Sequence, residues 1–472
     1  MPAFSAISLG IACLIYPWAF FRLANVSLVF GSFFACIILL FVPLFTLSAL
    51  NPLLIALRSA DIKTPTAKGD SGSGLVFFVS TVGSVVGVWI TAFLFIPHLT
   101  NFTSVLLLGI MLALISLLAS ITISRDVKGK GAMITISVAG LVLCGSVLIS
   151  SPSLLDKKHE IISNGSVWRL EKEYMSLFGN SKIIAFGRVP ASGEAHIENI
   201  PNPWRVYFQD GGFQNVTDLR GASQAMYTYA LEGLAMGFLN PGDRALVLGL
   251  GAGTVPMRLA ARGIAVDIVE INPTSFQIAE EYAEFDATRV SSYQQDARSF
   301  VRHCPRRYSV IVVDLFNGDG TPDYLMTKNF FSDLNRCLLP EGGIVMNSLT
   351  VPKYFASSYH LFKTLRTVFR HLLVFHEDFA ARAEDRLANI FLVTSNREPF
   401  GQLKVSVGDV PRHLHDKVAQ VLSRSRPLDR AMLSNATVIT DENNIFPVLN
   451  QDFLLAYRRT ALSVIPAPYL VN

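Results

Sequence analysis

Residues 244–263 read RALVLGLGAGTVPMRLAARG. An apolar run of strand length enters Gly249-Leu250-Gly251-Ala252-Gly253-Thr254, and a helical pattern follows. Such glycines allow a tight turn and close backbone approach to a ligand, and the helix N-terminus offers free N–H groups. A lone G-x-G-x-G is weak, so its surroundings decide. The next strand, VDIVEI, ends in Glu270, placed to accept hydrogen bonds from a ribose diol. A third ends in Gln295-Asp296-Ala297, where a carboxylate can meet an adenine amino group, and a fourth ends in Asp314. Taken singly, each acid reads as a helix cap or loop charge. Taken in order, they line the edge where doubly wound sheets bind ligands.

Working outward, strand-like segments fall at 244–250, 265–271, 290–296, 308–315, 342–349, 371–377 and 389–395. Helical ones fall near 254–262, 273–284, 327–338 and 354–369. This alternation predicts an α/β sheet. Residues 156–215 read as a small β-rich lead-in, 216–400 as the sheet domain, and 401–472 as a mixed extension completing it.

The remaining third has another character. The chain of 472 residues is 51% hydrophobic and 16% charged, with a net charge of +4. A soluble protein carries about 25% charged residues. Residues 1–155 hold seven basic residues (Arg22, Arg58, Lys63, Lys68, Arg125, Lys128, Lys130) against Asp61, Asp70 and Asp126, which is the whole excess. The rest is neutral, so a basic nucleic-acid-binding domain is disfavoured. The uncharged runs exclude disorder in water.

A spanning helix needs about 20 apolar residues. The runs predict five spans, near 3–21, 26–50, 75–97, 103–123 and 132–150. The first lacks the basic start and cleavage site of a secretory signal and reads as a retained span. No carboxylate, Lys or Arg lies within a span, so transport lacks its usual mark. Ser80, Gly83, Ser84 and Gly87 form a small-residue stripe that reads as ordinary packing within the bundle, with a dimer contact as the alternative. Pro43 and Pro52 predict a kink. The loops 58–74 and 124–131 hold six of the seven basic residues, and the positive-inside rule puts them in the cytoplasm. Five spans then send the polar domain outside, against the side its nucleoside-type site favours.

Five cysteines without a CxxC indicate neither a zinc site nor a disulfide framework, and no metal site is expected. Arg298, Arg302, Arg306 and Arg307 read as a solvated basic face, with contact to anionic lipid as the alternative.

The polar half resembles the spermidine/spermine synthase (polyamine aminopropyltransferase) family. With the membrane half it resembles bacterial membrane-fused spermidine synthase-like proteins, loosely over 30–150 and more clearly over 160–450. YFQDGGFQN is similar to the family's LDGxxQ signature, giving Asp210, Gly211 and Gln214. QAMYTYALEGLA is similar to the helix carrying the substrate-pocket tyrosine, here Tyr227. YSVIVVDLFNGDGTP resembles the catalytic segment, with Asp314 as proton acceptor. VITDENNIFPVL resembles a late T-D-D-x-x-P element.

The resemblance implies a multispan α-helical membrane region followed by an α/β Rossmann-like, S-adenosylmethionine-type sheet domain. It implies donor binding by Gln214, Gly249, Gly251, Gly253, Glu270, Asp296 and Ala297, and acceptor binding by Tyr227, Asn317 and Asp319. The donor would be decarboxylated S-adenosylmethionine or S-adenosylmethionine, and the acceptor a small amine or polyamine. Membrane lipid would be a partner and nucleic acid would not. A homodimer is implied, as is a multi-pass inner-membrane protein with a cytoplasmic catalytic domain.

The chain departs from the family pattern in three places. Ala252 replaces the loop aspartate that holds the donor's aminopropyl ammonium. Asn317 replaces the second catalytic-segment aspartate, with Asp319 two residues on. Ser223-Gln224 and Tyr229 replace acids around the tyrosine. An unpaired ammonium in a pocket is costly, so a simple diamine fits poorly. Three readings follow: an aminopropyltransferase-like enzyme with an altered acceptor, a methyltransferase on the same scaffold, or a non-enzymatic polyamine-binding or transport-linked protein.

Overall fold

The computed structural model describes the chain apart from residues 62–72, 123–128, 156–158, 190–195, 317, 319, 380–385, 398–408 and 471–472, and apart from the side chains of 57–61. The chain divides into two compact units. One is Met1–His159 with Met175–Asn180 and Ile465–Asn472, and the other is Glu160–Tyr174 with Ser181–Val464.

The first unit contains five helices long and apolar enough to cross a membrane: Pro2–Val26, Leu28–Ala56, Ser73–His98, Asn101–Thr122 and Lys130–Leu154. Three of them pack through small residues. A Cβ on Gly109 would lie 2.7 Å from Cys144 Sγ, so only glycine permits that approach. Ser137 Oγ donates to Ser116 Oγ at 2.9 Å, satisfying two buried hydroxyls within the bundle. The expected kink appears as a break between Leu28–Ser48 and Leu50–Asp61, with Pro43 inside the former and Pro52 in the first turn of the latter. Pro97, which cannot donate a helical N–H, follows a π-helical stretch at Thr91–Phe95. The stripe reading is corrected at its glycines: Gly83 and Gly87 have nothing within 4 Å of where a Cβ would stand, whereas Ser80 Oγ accepts from Asn51 Nδ2 at 3.2 Å.

The second unit holds most of two sheets. The first joins β1 (Ile161–Ser163), β2 (Ser166–Ser176), β3 (Gly179–Arg188), β4 (Trp204–Gln209) and β5 (Gly212–Asp218) in sequence order. The second comprises β6 (Arg244–Leu248), β7 (Ala265–Glu270), β8 (Ser291–Gln294), β9 (Tyr308–Val313), β10 (Leu338–Thr350), β11 (His371–His376) and β12 (Ala388–Ser395). Its order is β11-β12-β10-β9-β6-β7-β8. Only β12 runs antiparallel to its neighbours.

Side-chain alternation builds both faces of this sheet. Ala245 and Val247 of β6, with Val310 and Val312 of β9, join one core cluster. Leu246, Leu248, Ile311 and Val313 join the other. Both strands are thus buried on both sides, as central parallel strands require. From β6 the chain winds outward through β7 and β8, then returns to place β9 on the other flank of β6. The crevice of such a fold opens where that direction reverses, at the carboxyl ends of β6 and β9.

Two sequence expectations are corrected here. Cys304 and Cys337 form a disulfide with Cα atoms 5.8 Å apart, because helices Ala297–Arg302 and Lys328–Cys337 end side by side. Arg298 is not on a solvated face. It is 9% exposed, ion-paired to Asp441, and donates to the Tyr324 carbonyl at 2.9 Å.

Candidate functional site

The site grows from the turn after β6. Gly249, Gly251 and Gly253 have φ of 92°, 54° and 75°, which disfavours side chains at all three. At Gly249 there is a second reason, since a Cβ would lie 2.2 Å from the Asp314 carbonyl oxygen. At Gly251 the Cβ position is open, with nothing within 4 Å, leaving the backbone accessible to a ligand.

Glu270, closing β7, fastens this turn. Its Oε2 accepts from Leu250 N–H at 3.0 Å and its Oε1 from Asn272 N–H at 2.7 Å. Burial raises its pKa, while the Asn272, Leu250 and Ile271 N–H groups oppose that rise. Each oxygen keeps lone-pair capacity for a further donor.

Asp314 follows β9, its N–H bonded to the Leu248 carbonyl at 2.9 Å. Asn347 Nδ2 donates to its Oδ1 at 2.9 Å. Burial pushes the Asp314 pKa up to about 6, against the stabilising bond from Asn347. A carboxyl so poised exchanges protons near neutrality.

Gln214 sits at a local irregularity. Asp210 (φ 43°) and Gly211 (φ 92°) form the two-residue turn between β4 and β5, so the D-G of the motif is hairpin chemistry. The ladder then pairs Phe208 with Phe213 and Tyr207 with Asn215, skipping Gln214. Such a bulge re-aims a side chain. Gln214 Nε2 is buried without a hydrogen-bond partner among the described residues. Two tyrosines hold the flanking backbone: Tyr227 Oη donates to the Gln214 carbonyl at 2.7 Å, and Phe213 N–H donates to Tyr457 Oη at 2.7 Å. Burial, then the charges of Asp314 and Tyr457, push the Tyr227 pKa well up, so its hydroxyl remains a donor.

Asp296 acts as a cap as well as a candidate ligand. Its Oδ1 accepts from Ser299 N–H at 2.8 Å, and its Oδ2 from Tyr324 Oη at 2.7 Å. Ala297 is buried at the start of the helix it caps. Asp441 of the late T-D-E element pairs with Arg298 and accepts from Thr327 Oγ1 at 2.6 Å, fixing the segment that carries Tyr324. Burial raises the Asp441 pKa, but the bonds from Arg298 and Thr327 outweigh it and leave the carboxyl below its ordinary value. Asn317 and Asp319 lie outside the described residues.

The turn at 249–253, Glu270 and Asp314 therefore share one sheet edge, and Tyr227, near enough to Asp314 to feel its charge, holds the backbone carbonyl of Gln214. Sequence reading missed Asn347, Asn389, Tyr324 and Tyr457. The polar interruption Asn347-Ser348 within an apolar strand was a usable signal for the first. No signal marks the others.

No protein-family model matches the chain. Over 152 residues the chain is 36% identical to a polyamine aminopropyltransferase of Vibrio vulnificus (strain CMCP6), covering 30% of this chain and 49% of that protein. Over 166 residues it is 32% identical to an N-terminal histidine N-methyltransferase of Emericella nidulans, covering 34% of this chain and 29% of that protein. The chain thus spans half or less of the length of these curated relatives. Among solved structures, a probable spermidine synthase from Corynebacterium glutamicum ATCC 13032 aligns with a TM-score of 0.40 and 21% identity, over 60% of this chain and 96% of that one. It is to the spermidine synthase-like family that this chain is similar.

Proposed function

We propose that the chain is a membrane-anchored aminopropyltransferase-like enzyme, carrying a group from an S-adenosylmethionine-type donor to an amine. One observation carries the reading: Asp314, a half-buried carboxyl with its pKa near 6, stands against the glycine turn that would hold the donor.

Gly249, Gly251 and Gly253 would give the donor's nucleoside close backbone approach. Glu270 would take the ribose hydroxyls, and Asp296 with Ala297 the adenine. Gln214 Nε2 would donate to the donor's tail. Tyr227, with Asn317 and Asp319, would orient the acceptor. The amine nitrogen forms a bond to the carbon beside the sulfonium, and the carbon–sulfur bond breaks. Sulfur keeps the electron pair as a neutral thioether, and the nitrogen's proton passes to Asp314. A base whose pKa lies about one unit below neutral is mostly ionised and ready to accept it. No step calls for a metal.

Ala252 favours a second reading. With no acid at that turn position, the carboxylate of S-adenosylmethionine would meet no repulsion, as a methyltransferase needs. The purified full chain, offered each donor with a panel of amines, separates the two. Aminopropyl transfer from the decarboxylated donor supports the first reading, and methyl transfer alone supports the second.

The enzyme reading places the chain in the inner membrane with its polar domain on the cytoplasmic face. The Cys304–Cys337 bond favours a third reading, an outward-facing polyamine-binding domain without turnover, because structural disulfides persist in oxidising compartments.

A further inference from the structure

Asp314 does not stand alone at its strand end. Asn347 Nδ2 donates to Asp314 Oδ1 at 2.9 Å, and Asn389 Nδ2 donates to Asn347 Oδ1 at 2.9 Å. The three side chains cross three neighbouring strands. Asp314 follows β9, which pairs with β10 as far as Val313 opposite Met346, so Asn347 comes next to Asp314. Asn389 pairs with Leu349 across β10 and β12. We infer that Asn347 and Asn389 form a positioning relay, in which Asn389 fixes the orientation of the Asn347 amide and Asn347 thereby selects the oxygen of Asp314 that takes up the proton.

The physical case rests on amide asymmetry. An asparagine amide has a donating end and an accepting end, and either could face a carboxylate. With Asn389 donating to the oxygen, the nitrogen must turn toward Asp314. Asn347 is 3% exposed, so no water competes freely for either end. Oδ1 is thus engaged, while Oδ2 has no partner among the described residues and is left to face the reaction. Donation to the ionised form also restrains the rise that burial imposes. Among the described residues, the other titratable groups toward this end of the sheet include Tyr227, with Tyr457 near it, Glu270 at the end of β7, Asp296 after β8, and His376, which closes β11 and pairs with Ile390 next to Asn389. No cation adds to the setting of Asp314 among the described residues.

This inference deepens the reading of Asp314 as proton acceptor and rests on it, but its test needs no turnover. The full chain in detergent is titrated by difference infrared spectroscopy, subtracting Asp314→Asn to isolate the protonated-carboxyl band of Asp314. Asn347→Leu, which removes the donor, moves that titration up by about one pH unit or more. Asn389→Ala moves it in the same direction, although Asn389 touches no part of Asp314. Asn389→Asp moves it furthest, since a carboxylate at 389 accepts from the Asn347 nitrogen and turns the amide oxygen toward Asp314. Asn389 is half-buried, so its variants test the relay even where Asn347→Leu fails to fold. A wild-type titration in Asn389→Ala overturns the relay. A shifted titration in a protein that turns over no donor keeps the relay and removes the enzyme reading.

Discussion

The α-carbon of Gly249 faces the backbone of Asp314 so closely that a Cβ there would lie 2.2 Å from the Asp314 carbonyl oxygen. The turn that would hold the donor and the carboxyl that would take the proton are therefore set by one contact. Gly249→Ala must displace one of them and also strain a φ of 92°. We expect it to cost about 2–4 kcal/mol of stability and to abolish donor binding. Thermal unfolding and donor titration on the same preparation check both effects. Unchanged donor affinity would separate the turn from the site.

Asp314 has a pH signature of its own. Burial lifts its pKa from 3.8 to about 6, so the folded protein holds this proton more tightly than the unfolded chain does. That contribution is complete below pH 4 and is lost as pH rises through 6. Above pH 7 the half-buried carboxylate costs roughly 1–3 kcal/mol relative to a neutral side chain. Asp314→Asn should thus match wild type in stability at pH 4 and exceed it at pH 8, while losing all transfer. Equal stability at both pH values would mean that the carboxyl is not held as described.

The strand ends were legible because their signals are local: apolar runs, glycines and closing acids. The seven sheet strands from β6 to β12 fall where those runs put them. What stayed hidden depends on register and strand order. Gln214 is re-aimed by a bulge that exists only in the pairing of β4 with β5. Asn347 is 33 residues from Asp314, and Asn389 a further 42 on, yet strand order makes them neighbours. Arg298 looked like one of four surface arginines because its partner, Asp441, is 143 residues away. Cys304 and Cys337 meet because two helices end together, which cysteine spacing does not announce.

Gln214 carries a buried donor without an acceptor among the described residues, which costs stability unless a ligand supplies one. Gln214→Leu removes that cost and the recognition together. The variant should be as stable as wild type or slightly more so, with donor affinity lowered about 5- to 100-fold, corresponding to about 1–3 kcal/mol. Calorimetric titration with each donor measures the loss. A stable variant with full affinity would put the donor's tail elsewhere.

The side of the membrane and the state of one sulfur pair must agree, which makes them a joint test. On the enzyme reading a reporter fused after Asn472 lies in the cytoplasm. Glutathione and thioredoxin keep thiols reduced there, so Cys304 and Cys337 should both be alkylated when cells are lysed directly into denaturant with a thiol reagent, which exposes the buried Cys337. The bond between them is then a form the pair adopts on oxidation, and Cys337→Ser should leave donor binding intact. Six of the seven basic residues of 1–155 fall in the two segments, 58–74 and 124–131, that five crossing helices would put on one side, and they pull the other way. An exported reporter with both sulfurs protected would satisfy the loops and the disulfide together. It would also put the glycine turn and Asp314 out of reach of a donor made inside the cell, and the binding reading would stand in place of the enzyme.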